Sequence, residues 1–213
     1  MKKIMIAVPC RDEMHTAFVQ SLLGLKVPEG VQIRYGMVLN SLVYDARNSL
    51  SAQALKEECD YILWLDSDMT FAPDLLERLL ADDKDIVCGI FFRRRPPFSP
   101  CIYETLRADR EYPERNCYKQ MLEYESDSLF EVEGCGMAAV LMKTDVLRDI
   151  TLHEAVPGRP VAPPFVPLLG YGEDLSFCVR AREAGRSIWC DSRVKVGHLA
   201  CVEINETAWR ATK

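Results

Sequence analysis

Asp60-Tyr61-Ile62-Leu63-Trp64-Leu65-Asp66-Ser67-Asp68-Met69-Thr70-Phe71-Ala72-Pro73-Asp74-Leu75-Leu76-Glu77 passes from an apolar run into two acids and then into a helix start. Five consecutive apolar residues, 61–65, predict a strand covered on both faces, as in a parallel sheet. Pro73 and Asp74 suit a first helical turn, so a helix is expected over residues 74–80. The two acids then stand at the carboxyl end of a central strand, where open α/β sheets bind their ligands. Acid-x-acid at that place suits a hard divalent cation that also holds a diphosphate. The plainer alternative is a pair of solvated carboxylates beside the next helix.

The same alternation extends outward from this stretch. Strands are predicted over residues 3–8, 32–39 and 85–92, and helices over 11–25 and 45–58. A β-α-β-α-β-α-β order predicts a parallel, doubly wound half. Residues 93–128 read as loops with a short hairpin. Strands are expected at 129–132 and 138–142 around Gly134-Cys135-Gly136, and a helix to residue 150 behind Thr144. Five prolines within 155–169 exclude a regular helix and suggest a mobile loop over a site. A helix over 173–184 closes on Gly185. Extended pieces follow at 187–190 and 194–196, and the tail beyond His198 reads as a short helix or disorder.

Composition narrows the class. A chain of 213 residues with 48% hydrophobic and 27% charged residues can bury a full core as a single domain. The net charge of −6 does not attract nucleic acid over the whole surface, so that partner is not indicated. Nothing approaches the ~20 apolar residues of a membrane span. The apolar part of the first residues is too short for a signal peptide and leads into Pro9, Arg11 and Asp12. The nine cysteines include no Cys-x-x-Cys pair, which removes zinc spacing. Their odd number favours free thiols in a reducing cytoplasm.

Several segments in order now resemble one family: Ile4-Met5-Ile6-Ala7-Val8-Pro9, Ala46-Arg47-Asn48, Asp66-Ser67-Asp68, Gly134-Cys135-Gly136-Met137, Gly172-Glu173-Asp174 and Val196-Gly197-His198. The chain resembles the GT-A nucleotide-sugar glycosyltransferases, particularly the family 2-like group with its small stand-alone bacterial and phage members. The resemblance implies a GT-A (Rossmann-like) α/β fold with a mostly parallel central sheet flanked by helices and a smaller acceptor-side sheet. Residues 1–92 would bind the nucleotide and residues 93–213 the acceptor, within one domain. It implies a hexosyltransferase-type enzyme that moves a sugar from a nucleoside-diphosphate sugar to a hydroxyl acceptor, with Mn²⁺ or Mg²⁺ as cofactor. The acceptor would be a glycan, a lipid-linked sugar or another hydroxyl compound.

Residue by residue, the resemblance gives Asp68 the metal, Asp66 the ribose or a metal-bound water, and His198 a third metal contact. A buried structural histidine is the alternative for His198. Ser67 lies between the two acids. Glu173 and Asp174 would supply the base of an inverting displacement, Asp174 being preferred and Glu173 binding acceptor hydroxyls or exchanging roles with it. Retention is the alternative, and in retaining relatives an acid at 173–174 need not be a base. The helix N-terminus favours ionised acids there, and simple capping is the alternative. Arg47 and Asn48 would contact the nucleotide, Pro9, Cys10, Arg11 and Asn40 would line the base pocket, and Gly134 and Gly136 would lie beneath donor and acceptor. Arg93-Arg94-Arg95 could bind phosphates or be a solvated loop. The absence of a Gln-x-x-Arg-Trp segment argues for single transfer rather than a processive synthase.

Two other functions fit part of the pattern. A nucleotidyltransferase would carry a glycine-rich loop after the first strand, and Pro9-Cys10-Arg11-Asp12-Glu13 has no glycine. A non-catalytic nucleotide-sugar or glycan-binding module would not need Asp66, Asp68, Asp174 and His198 together.

Overall fold

The computed structural model of the chain describes residues 1–109, 111–201 and 210. In chain order the elements are β1 (Lys2–Pro9), α1 (Thr16–Leu23), β2 (Val31–Val38), α2 (Val43–Lys56), β3 (Tyr61–Leu65), β4 (Met69–Thr70), α3 (Leu75–Ala81) and β5 (Ile86–Ile90). The second half holds β6 (Ile102–Arg107), a 3-10 turn (Pro113–Arg115), β7 (Cys117–Gln120), β8 (Leu129–Val132), β9 (Gly134–Cys135) and β10 (Ala139–Lys143). It ends with α4 (Asp145–Glu154), α5 (Glu173–Glu183), β11 (Ile188–Lys195) and β12 (Gly197–His198).

All five residues of β3 are buried, which is why this run carries no polar alternation. Successive side chains leave a strand on opposite faces. Ile62 and Trp64 accordingly join the core under α2, α4 and α5, with Leu50, Val146 and Phe177. Leu63 and Leu65 join the core under α1 and α3, with Phe18, Leu75 and Leu79. The sheet is thus the middle layer of three.

The main sheet has seven strands in the order β2-β1-β3-β10-β5-β11-β8. The pairs β1–β2, β1–β3 and β5–β11 are parallel, and β10 runs antiparallel to both β3 and β5. Five strands therefore share one direction, while β10 and β8 oppose it. This mixed α/β sheet with flanking helices and a smaller three-stranded sheet, β7-β6-β9, is the GT-A architecture. The hairpin expected within residues 93–128 is the antiparallel pair β6–β7.

Three expectations change. The parallel half is interrupted, because β10 comes between β3 and β5 and runs antiparallel to both. Its far end is pinned there: Thr144 Oγ1 donates to Cys59 O at 2.6 Å, and Lys143 N donates to Asp85 O at 2.9 Å. The helix expected from residue 11 begins only at Thr16, because His15 is extended and its N–H donates to Ser67 O at 3.3 Å. Residues 155–169 form no helix or strand and are mostly exposed, but Phe165 anchors the segment. Phe165 is fully buried, stacks on Phe177 at 4.5 Å between ring centroids and meets the edge of Trp64 at 5.3 Å. The tail expected to be helical or disordered lies, beyond residue 201 and apart from residue 210, outside the described residues.

All nine cysteines are free thiols. Among the described residues no helix is long and apolar enough to cross a membrane.

Candidate active site

The two acids of the Asp66-Ser67-Asp68 turn are placed by backbone bonds on either side. Asp66 N donates to Ala138 O at 3.1 Å, and Met69 N closes the turn on Asp66 O at 3.1 Å. The short strand β4 then pairs with β12, opposing His198 to Met69. Leu199 N donates to Asp68 O at 2.8 Å. Residues 130 positions apart in sequence thereby meet, with His198 Nε2 3.5 Å from Asp68 Oδ2. The other ring nitrogen, Nδ1, is 2.8 Å from Phe92 O, an acceptor that fixes Nδ1 as the protonated nitrogen and leaves Nε2 toward Asp68.

Burial works against the Asp68 charge, but His198 and Arg94 outweigh it and hold this carboxyl below its usual range. Burial works against the His198 charge too, yet Asp68 and the Phe92 carbonyl raise its pKa. Asp66 differs: burial raises its pKa, only partly countered by Arg47.

Arg47 is 2% exposed and lies beneath the acids instead of reaching into open space. Its Nη2 donates to Asp66 Oδ1 at 2.9 Å, its Nε lies 3.5 Å from Glu173 Oε1, and its guanidinium stands over the Trp64 ring at 5.4 Å. One buried cation therefore ties the end of β3 to the start of α5. Its neighbour Asn48 turns elsewhere, accepting the Phe165 N–H at 2.9 Å.

Asp174 occupies the first turn of α5, and Leu175 N donates to its Oδ1 at 2.7 Å. Burial, then the neighbouring Glu173 charge, push its carboxyl up to about 6, in the range a general base uses near neutral pH. Gly172 makes room for it: a Cβ there would stand 2.9 Å from Asp174 Oδ1. Gly134 and Gly136 make room for packed side chains. A Cβ on Gly134 would meet Leu106 Cδ2 at 3.1 Å, and one on Gly136 would meet Phe91 Cζ at 2.9 Å.

Pro9, Cys10, Arg11, Asp66, Ser67 and Asp68 share one cleft of about 760 Å³ with Asp12, Glu13, His15, Ser41, Leu42, Val43, Ala46 and Arg94. Asn40, Arg47, Asn48, Gly134, Gly136, Glu173, Asp174 and His198 are not among its lining residues. The contributions of His15 and residues 41–43 were not foreseen; no local pattern marks them, since they reach the cleft through the loops after β1 and β2.

Four carboxylates and two guanidiniums line this cleft, so a diphosphate would meet net repulsion without an added cation. Among the described residues no three His, Cys, Asp or Glu side chains close on a common metal position. Asp68 and His198 do face each other, whereas Asp66 is turned to Arg47. Two protein ligands fit a divalent cation whose shell is completed by phosphate oxygens and water, as Mg²⁺ sites on phosphate substrates are built. Imidazole suits Mn²⁺ better.

The mixed sheet with flanking helices and a smaller second sheet is a GT-A fold. Residues 3–100, from β1 to the turn after β5, match the Anp1 family. The crystal structure of A197 from STIV is similar over 93% of this chain and 86% of that one, with TM-score 0.60 and 16% identity. GalNAc-T7, crystallised with UDP, GalNAc and Mn²⁺, is similar over 94% of this chain with TM-score 0.57 and 10% identity. The chain spans 44% of the length of that protein. No curated protein sequence matches. The likeness to these solved structures shows the fold.

Proposed function

We propose that this protein transfers a sugar, of hexosyl type, from a nucleoside-diphosphate sugar to a hydroxyl of an acceptor, with inversion at the anomeric carbon. The observation that carries the reading is Asp174. Its carboxyl is held at about 6 at the start of α5 and is joined through Glu173 and Arg47 to Asp66. A base that must be ionised near neutral pH and still accept a proton has this property.

Asp68 and His198 would hold Mn²⁺ or Mg²⁺. When bound, the ion supplies the positive charge that neutralises the departing diphosphate. Leu42 and Val43 are exposed at the cleft and would lie against the nucleobase, with Pro9 and Arg11 beside them. Arg47 acts from beneath, keeping Asp66 and Glu173 in position. Asp174 takes the proton of the acceptor hydroxyl, and Glu173 orients the acceptor. Residues 1–92 would serve the donor, and residues 93–213 the acceptor: a glycan, a lipid-linked sugar or another hydroxyl compound. Buried free thiols suit a reducing cytoplasm.

The test follows nucleotide release from a panel of UDP- and GDP-sugars with Mn²⁺, beside thermal shifts with the same compounds. We expect one sugar to be turned over and to raise the melting temperature only with metal. Asp174→Asn should lose about 10²- to 10⁴-fold in rate while keeping the thermal shift. Turnover unchanged in Asp174→Asn would exclude it as the base, and a wild type that neither binds nor turns over any member would remove the transferase reading.

A further inference from the structure

We propose that Arg94 is a resident counter-ion of Asp68 that yields its place to a divalent cation and then binds the diphosphate of the donor. The inference rests on the transferase reading above and assigns a positioning residue to the same site. Arg94 Nη1 donates to Asp68 Oδ2 at 2.7 Å, and this is the oxygen that His198 Nε2 faces at 3.5 Å. The guanidinium thus lies against the atom that a cation between Asp68 and His198 would need. Two positive charges on one carboxylate oxygen repel, so the cation and Arg94 compete for it.

The turn carrying Arg94 is built so that the side chain can leave while the backbone stays. Phe92 and Pro100 pair as a bridge, Arg93 N donates to Ser99 O at 3.0 Å, and Phe98 N donates to Arg95 O at 2.9 Å. Arg93 is itself tied, with Nη2 donating to Tyr103 OH at 3.2 Å. Phe92 O orients His198, so one turn sets both the histidine and the arginine. The Arg94 side chain is 54% exposed and lines the cleft. Arg47, by contrast, is sealed in at 2% exposure and committed to Asp66 and Glu173. A displaced Arg94 remains at the cleft edge, where the forked donors of a guanidinium match phosphate oxygens.

The exchange predicts opposite effects on two ligands, which a purely structural role would not produce. Mn²⁺ affinity would be measured without nucleotide, by electron paramagnetic resonance of the unbound ion. UDP affinity would be measured at saturating Mn²⁺ by titration calorimetry. Wild type would be compared with Arg94→Ala, Arg94→Gln, Arg94→Lys and Asp68→Ala. In Arg94→Ala and Arg94→Gln we expect Mn²⁺ alone to bind about tenfold tighter and UDP with Mn²⁺ about tenfold weaker. Arg94→Lys, which keeps the charge but not the fork, should bind Mn²⁺ as wild type does and UDP with an affinity between wild type and Arg94→Ala. Tighter Mn²⁺ without weaker UDP, or the reverse, overturns the exchange. Wild-type Mn²⁺ affinity in the Arg94 variants, with binding abolished in Asp68→Ala, overturns the inference and leaves the transferase reading standing. Binding of Mn²⁺ unaffected by Asp68→Ala removes both.

Discussion

Asp174 must be charged to accept a proton, yet it sits where charge is disfavoured. Burial and the adjacent Glu173 charge raise its carboxyl to about 6, while the Leu175 N–H and Arg47 keep it from rising further. The rate of donor turnover should therefore rise with pH through a single step near 6 and level off above it, because only the ionised form acts as base. A pH profile of kcat/KM with a step near 4 instead would show that this environment does not set the base. The two acids at the start of α5 were legible from their place at the head of a helical run closed by Gly185. The raised pKa was not, because it comes from burial among segments far apart in sequence and is limited by Arg47, which sits 127 positions before Asp174. Arg47 itself changes meaning at this scale. As a residue type in a helix it suggested a ligand contact, but its 2% exposure, its bond to Asp66 and its ion pair with Glu173 make it the tie between two acid-bearing segments.

Among the elements, β10 governs how the halves join. Its five residues enter between β3 and β5 antiparallel to both, so Val140 and Leu141 pair with Trp64 and Leu63 on one side and with Cys88 and Val87 on the other. A strand bonded on both edges and buried on both faces has little room to relax. Leu141→Ala should cost about 2–5 kcal/mol in urea unfolding, as large-to-small changes at fully buried sites do. A loss under about 1 kcal/mol would mean that the neighbours collapse into the space. The apolar run of β10 was visible in the sequence as a strand, but neither its direction nor its neighbours were. Strand order depends on which chain ends are pinned together, and here Thr144 bonding to Cys59 O does the pinning. Helix α1 shows the reverse case: periodic residues were read back to position 11, while the bond from His15 N to Ser67 O keeps the preceding segment extended and in the cleft.

Across the whole molecule, the layer under α1 and α3 holds one polar feature that opposes stability at neutral pH. Asp82, at the end of α3, faces Asp191 of β11, with Arg193 bonding to both at 2.7 Å. Burial, and then the Asp191 charge, raise the Asp82 carboxyl to about 6. The folded state therefore holds this proton more tightly than the unfolded chain does. Below the ordinary carboxylate pKa the group has no effect; as pH rises from there to about 6 stability falls, and above that the penalty is complete. Asp82→Asn should raise the melting temperature at pH 7, by a free energy below about 3 kcal/mol, and have little effect near pH 4. An equal shift at both pH values would show that the effect is not electrostatic. The sequence by itself determined the alternation of strands and helices, the buried strand ending in Asp66 and Asp68, and the acid pair opening α5. Those features are local: a run of apolar side chains, a helix start, a charge at a helix N-terminus. Only the tertiary structure decided that β10 separates β3 from β5, that Arg47 is an internal tie, and that His198, Arg94 and Asp68 converge on one oxygen. These are contacts between distant segments, fixed by backbone pairing such as that of β4 with β12 and by competition among charges for few partners, and no window of sequence contains both sides of them.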